Sequence, residues 1–135
     1  MVADAVAAGA EAIVFSAIDY ENNASAIDEA ARAGVKIVAI DSSVASDMVS
    51  TYIGTDNYAA GQMAARAALE RVEGPLTAGV ANYDISSANG QEREHGALAV
   101  LEESGRAEIA AVTNTLAAAG TAREATPPMR PTPPD

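Results

Sequence analysis

Short apolar runs, each closed by small polar residues, alternate along the chain with stretches of helical spacing. The first run is Ala12–Ile18, AIVFSAI, and the second is Val35–Ile40, VKIVAI. Apolar runs of this length between polar residues predict strands buried on both faces. Val49–Ile53 predicts a shorter third strand, Leu76–Asn82 a fourth and Glu108–Thr113 a fifth. Residues 2–9, VADAVAAG, read as the last turns of a helix with Gly9 as its C-cap. Asn22–Ala33 predicts a second helix with Asn23, Ile27, Ala30 and Ala31 on one face, stopped by Gly34. Asn57–Val72 predicts a third, opened by the capping carboxylate of Asp56 and broken by Gly74-Pro75. A fourth opens at Ser86 or Ser87 and runs to about Ser104, with Leu98 and Leu101 facing inward. Crossovers of this length favour parallel pairing, so the fold class is α/β, with parallel sheets and flanking helices.

Composition narrows the picture. Hydrophobic residues make up 49% of the 135, yet aromatics are only 4% and tryptophan is absent. Alanine, valine and isoleucine must therefore build the core, and small side chains let helices approach a sheet closely. Eight basic against 19 acidic residues leave a formal net charge of −11. Binding to a phosphate backbone draws on clustered Lys and Arg, so nucleic acid is not an expected partner. With no cysteine, disulfides, thiol catalysis and Cys-based zinc sites are excluded together. No apolar run reaches the roughly 20 residues of a membrane helix, and Met1-Val2-Ala3-Asp4 does not begin a signal peptide. The last ten residues, TPPMRPTPPD, hold five prolines and predict a disordered or polyproline-like tail.

Candidate chemistry lies at the strand ends. Neither a G-x-G-x-x-G nor a G-x-x-x-x-G-K-[ST] phosphate loop occurs, and His95 is the only histidine, expected to be a solvated surface residue. Ligands of parallel α/β sheets bind outside the carboxyl ends of the strands. Those ends carry Ser16 and Asp19, then Asp41-Ser42-Ser43, then Thr55-Asp56-Asn57, then Asn82 and Asp84. Such residues also terminate strands and cap helices without binding anything. Arg93, early in the fourth helix, adds a guanidinium fork; opposite an aspartate it suits a polyol, because each group bonds paired hydroxyls. The plain alternative is a surface salt bridge to Glu92 or Glu94.

AIVFSAIDYENNASAIDEAARAGVKIVAIDSSV resembles the N-terminal lobe of ribose-type periplasmic sugar-binding proteins, the solute receptors of ABC importers. STYIGTDNYAAGQMAA resembles the end of that lobe and the first crossover, and SSANGQEREHGALAVLEE resembles the R-x-x-G helix of the second lobe. The resemblance runs from about residue 2 to 120 and implies a partial chain, since such receptors are more than twice this length. It implies that residues 1–55 are the second half of one lobe, 56–120 the first part of the other, and 121–135 a separate tail. Asp41 and Arg93 match the residues that contact the sugar from each lobe. Ser42 occupies the next contact position, where some relatives carry arginine, and this departure argues against ribose itself. Thr55, Asp56 and Asn57 match a hinge strand.

The function implied is that of a non-enzymatic importer component, binding a small monosaccharide between lobes and delivering it to a membrane permease outside the cytoplasm. Neither cofactor nor metal is expected. The effector domain of a LacI-type repressor is the alternative, although VEGPLTAGV replaces the Gly-His-Arg run usual there. By itself the chain is expected to bind no sugar with useful affinity, because no aromatic residue stands in a stacking position.

Overall fold

The computed structural model describes residues 1–114. Its elements run α1 (Val2–Ala7), β1 (Ala12–Phe15), α2 (Ala24–Arg32), β2 (Lys36–Ile40), β3 (Thr51–Ile53), α3 (Asn57–Arg71), β4 (Leu76–Asn82), α4 (Ala88–Glu103) and β5 (Ala107–Asn114). The α/β class read from the alternating pattern is the one observed. The expected tail at 121–135 lies outside the described residues.

Two parallel sheets form. One has the order β1-β2-β3, with Ile13 opposite Ile37, Phe15 opposite Ala39, and Ile40 opposite Ile53. The other pairs β4 with β5 and carries an irregularity between Ala78 and Gly79. No ladder joins β2 to β4 among the described residues.

Each sheet has its own core. Ile37, Ile27, Ala30 and Val35 are buried, with Val2 and Val6 of α1 and Ile13 and Phe15 of β1 packed against them. In the other half Ala65, Val100 and Leu101 are buried beneath α3 and α4, against Val80 and Ile109. Leu98, expected to face inward with Leu101, is only half-buried. The strands are not covered on both faces as their apolar runs predicted. The face opposite α1 and α2 is open among the described residues: Val14 and Ile53 are each 62% exposed and Ile40 is 40% exposed. A continuous apolar run shows that both faces are apolar, not that both are packed.

Helices α3 and α4 touch backbone to backbone. A β-carbon built on Gly61 would lie 2.1 Å from the Arg93 carbonyl oxygen, and one on Gly96 would lie 2.1 Å from that of Tyr58. Glycine at both positions lets the N-terminal half of α3 pack directly on the middle of α4. At the far end, the Arg106 guanidinium donates to the carbonyls of Leu69, Val72 and Gly74. The Leu69 and Val72 carbonyls end α3 and would otherwise lack intrahelical donors, and Gly74 lies in the loop that follows. Hydrogen bonds to a charged group contribute about 1.5–3 kcal/mol, so Arg106→Ala is expected to cost about 2 kcal/mol of stability. Urea denaturation reads this directly, and an unchanged midpoint would contradict the capping role.

Candidate functional site

The end of β2 carries an unusual backbone. Asp41 has φ +60°, the only positive φ outside glycine among the described residues. Ser42 N–H donates to the Ile40 carbonyl at 2.7 Å, closing a γ-turn around Asp41. The turn is held from both sides, since Asp41 N–H donates to Ile53 O at 2.9 Å and the Tyr52 hydroxyl donates to Asp41 O at 2.7 Å. Burial, with the Glu92 and Asp41 carboxylates nearby, raises the Tyr52 phenol above its ordinary pKa, so this donor is retained at neutral pH. Strain held by surrounding bonds at a strand end is typical of ligand clamps. The turn leaves the Asp41 side chain exposed.

The start of α4 is built by caps. The Asp84 carboxylate accepts from the N–H and hydroxyl of Ser86, and Ser87 Oγ accepts from Gly90 N–H at 3.2 Å. Asn89 therefore falls in the first helical turn, with Arg93 one turn later on the same face. At the start of α3, Asp56 accepts from Ala59 N–H at 2.8 Å, which fixes Asn57 as the first helical residue.

These three points are joined by side chains. Ser16 Oγ donates to Asp41 Oδ2 at 3.4 Å, and Asn89 Nδ2 donates to Asp41 Oδ1 at 3.3 Å. Asn57 Nδ2 donates to Asn89 Oδ1 at 3.1 Å, and Arg93 Nε donates to Asn57 Oδ1 at 2.7 Å. A continuous path thus runs Ser16–Asp41–Asn89–Asn57–Arg93 across the ends of both sheets. A backbone bond from Tyr20 N–H to Ser86 O, 2.8 Å, joins the same two strand-end loops.

Asp41 and Arg93, both singled out from the sequence, lie on this one path. Arg93 makes no salt bridge to Glu92 or Glu94 in the described residues; Glu94 accepts instead from Asn82 at 2.8 Å. Only Arg93 Nε is engaged, which leaves both terminal nitrogens of the fork for other partners. The arrangement presents acceptors at Asp41 and donors at Arg93, a combination suited to neighbouring hydroxyls.

Ser42 is not brought to the path. The γ-turn folds it inward to 4% exposure, and its hydroxyl has no hydrogen-bond partner among the described residues. A buried hydroxyl left unpaired costs about 1–3 kcal/mol, so Ser42→Ala is expected to raise stability by about 1 kcal/mol. A lower melting temperature for that variant would show that the hydroxyl has a partner after all. Of the three residues read as a hinge, Thr55 offers its carbonyl to Asn57 Nδ2 at 3.1 Å, Asp56 caps α3, and Asn57 is fully buried in the path.

Asp19, in the loop after the first strand, serves its own turn. Asp19 accepts from Asn22 N–H, Asn22 Nδ2 and Glu21 N–H, and the Asn22 bonds in particular hold its carboxyl below the usual pKa. His95 is exposed. No group of three or more metal-ligating side chains occurs among the described residues. Asn89 joins the path with no sequence signal beyond its place four residues before Arg93 on one helix face. A groove of about 450 Å³ between α3, β4 and α4 touches Arg93 and is lined mostly by small and apolar residues such as Ala64, Ala68 and Val80.

Comparison with known proteins agrees with this architecture. The profile of the periplasmic binding protein domain matches residues 1–128. No curated protein matches the chain. Among solved structures, a carbohydrate transporter solute binding protein from Agrobacterium radiobacter in complex with D-arabinose is 25% identical. The match covers 84% of this chain and 40% of that one, with a TM-score of 0.76. An ABC transporter solute binding protein from Agrobacterium vitis with bound D-fucose is also 25% identical, over 85% of this chain and 41% of that one, with a TM-score of 0.78. The periplasmic component of an ABC-type sugar transport system from Hahella chejuensis, 24% identical, shares the fold with a TM-score of 0.84 over 92% and 46% of the two chains. The chain therefore spans less than half the length of these structures. No described helix is long and apolar enough to cross a membrane.

Proposed function

Since the chain belongs to the periplasmic binding protein domain family, we propose that it supplies part of the sugar-binding component of an ABC-type importer. Its part in that component is one wall of the monosaccharide cleft, between lobes divided near residues 55 and 56. Asp41 accepts from the sugar hydroxyls and the free nitrogens of Arg93 donate to them. The segment from Thr55 to Asn57, which leads into α3, forms one hinge connection between the lobes, and closing around the sugar prepares the receptor for a membrane permease outside the cytoplasm. No covalent step is involved.

The observation that supports this reading is the side-chain path that brings Asp41, at the end of β2, together with Arg93 of α4. The end of one sheet and a helix packed on the other meet there through polar side chains, with the carboxylate exposed and the guanidinium half-engaged. The sugars named with the A. radiobacter and A. vitis structures, D-arabinose and D-fucose, support a pentose or hexose as the substrate class. Ser42, as a third contact, requires the turn after Asp41 to open first. The LacI-type repressor domain is not favoured, because the family and the similar structures are periplasmic and transport proteins.

Saturation-transfer NMR on the 135-residue chain tests the reading. Transfer is expected to a pentose or hexose but not to cyclohexanol, which has a comparable ring and a single hydroxyl. Equal transfer to both, or none to any sugar, would contradict it.

A further inference from the structure

The geometry points to Asn57 as a positioning residue that orients Arg93 and ties the crossover between the sheets to the site. Its linking position does not require this role. A residue that merely connects two lobes can be exposed and of almost any type, yet Asn57 is 0% exposed and all its side-chain bonds go to the crossover or the site. Oδ1 accepts from Arg93 Nε at 2.7 Å, and Nδ2 donates to Thr55 O and to Asn89 Oδ1, both at 3.1 Å. One planar amide thus sets three directions at once. It holds the guanidinium by its inner nitrogen, so the two outer nitrogens face away from the bond. It orients Asn89, whose amide nitrogen then faces Asp41. It is fastened to the Thr55 carbonyl, so movement of the crossover backbone carries Asn57 and, through it, both side chains.

No other side chain among the described residues holds the Arg93 guanidinium. An arginine without such a bond samples many rotamers, and that freedom opposes ligand binding. Holding one nitrogen in advance removes part of that cost while leaving the fork open. The inference rests on the sugar-receptor reading for what Arg93 would bind, but the orientation of Arg93 is measurable without any sugar.

The test follows the Nε–H proton of Arg93 by ¹⁵N NMR in the 135-residue chain, with the Nε–H of exposed Arg66 as the internal reference. In the unaltered chain the Arg93 proton is expected to exchange with solvent about tenfold or more slowly than that of Arg66, as for a hydrogen bond to a charged group. Asn57→Leu, close in size but unable to bond, should bring the two rates together. Asn57→Asp keeps an oxygen for Arg93 but loses the amide donor, so it should restore slow exchange at Arg93 while the Asn89 side-chain amide shifts as its partner disappears. A purely structural asparagine would not show that split. Equal Arg93 and Arg66 rates in the unaltered chain overturn the inference, whether or not the leucine variant folds. So does slow exchange at Arg93 in an Asn57→Leu chain whose Gly61 and Gly96 amide signals are unmoved. If these exchange results hold while sugar titration fails, the receptor reading falls and the assignment of Asn57 stands.

Discussion

Replacing Gly96 by valine is expected to destabilise the chain by about 3 kcal/mol or more, the upper end for overpacking a tight contact. A β-carbon at this position would sit 2.1 Å from Tyr58 O and 3.2 Å from Gln62 N. Both are backbone atoms of α3, so neither can swing aside as a side chain would. Relief requires α4 to move away from α3, which also strips Ala65, Val100 and Leu101 of their mutual cover. The same displacement pulls Arg93 from Asn57, because Gly61 lies against the Arg93 carbonyl. Gly79→Ala is the matched control: nothing lies within 4 Å of a β-carbon built there. Urea melts of the two variants should differ widely, with Gly79→Ala close to the unaltered chain. A Gly96→Val chain with an unchanged midpoint would mean that the two helices are not in backbone contact.

The second large effect separates folding from binding. Asp41 adopts a left-handed backbone at φ +60°, where glycine fits at no steric cost. Its carboxylate receives only long bonds, 3.4 Å from Ser16 and 3.3 Å from Asn89. Asp41→Gly should therefore leave stability unchanged or slightly raised while removing the acceptor for sugar hydroxyls, a loss of about 1.5–3 kcal/mol in affinity. Asp41→Val keeps neither property, because a β-branched residue is strongly disfavoured at positive φ. Thermal melts and sugar titrations run in parallel decide the matter. A glycine variant that melts several degrees lower, or that binds sugar as before, would contradict this account of the turn.

The fold class was legible because apolar runs and helical stretches alternate with parallel-crossover spacing, and glycines and caps mark most boundaries. Asp56 and Ser87 cap α3 and α4 as their residue types suggest. The open sheet face was not legible: Val14, Ile40 and Ile53 look like core residues in any local window, and only the placement of helices decides which face is covered. Arg93 stood out as a guanidinium beside a strand end, whereas Asp41 was one polar strand end among several until the resemblance to sugar-binding proteins singled it out. Asn89 did not stand out, since an amide in the first helical turn reads as a cap until α3 and α4 are packed together. The burial of Ser42 was not legible either, because the turn centred on its neighbour, which no local window shows, folds it inside.

The central claim is that Asp41 and Arg93 hold one sugar between them. Two charge-assisted contacts of about 1.5–3 kcal/mol each must also offset several kcal/mol of lost translational and rotational freedom, so binding by this chain alone should be weak, on the order of 1 mM or above, and best read by chemical shift. Titrating the ¹⁵N-labelled chain with D-arabinose and D-fucose to tens of times ~1 mM should move the signals of Ser16, Asp41, Asn89 and Arg93 along saturable curves for at least one sugar. Asp41→Ala and Arg93→Ala should each abolish the response while leaving the remaining spectrum folded. Shifts that persist in both variants, or no saturable shift with either sugar, would contradict the account.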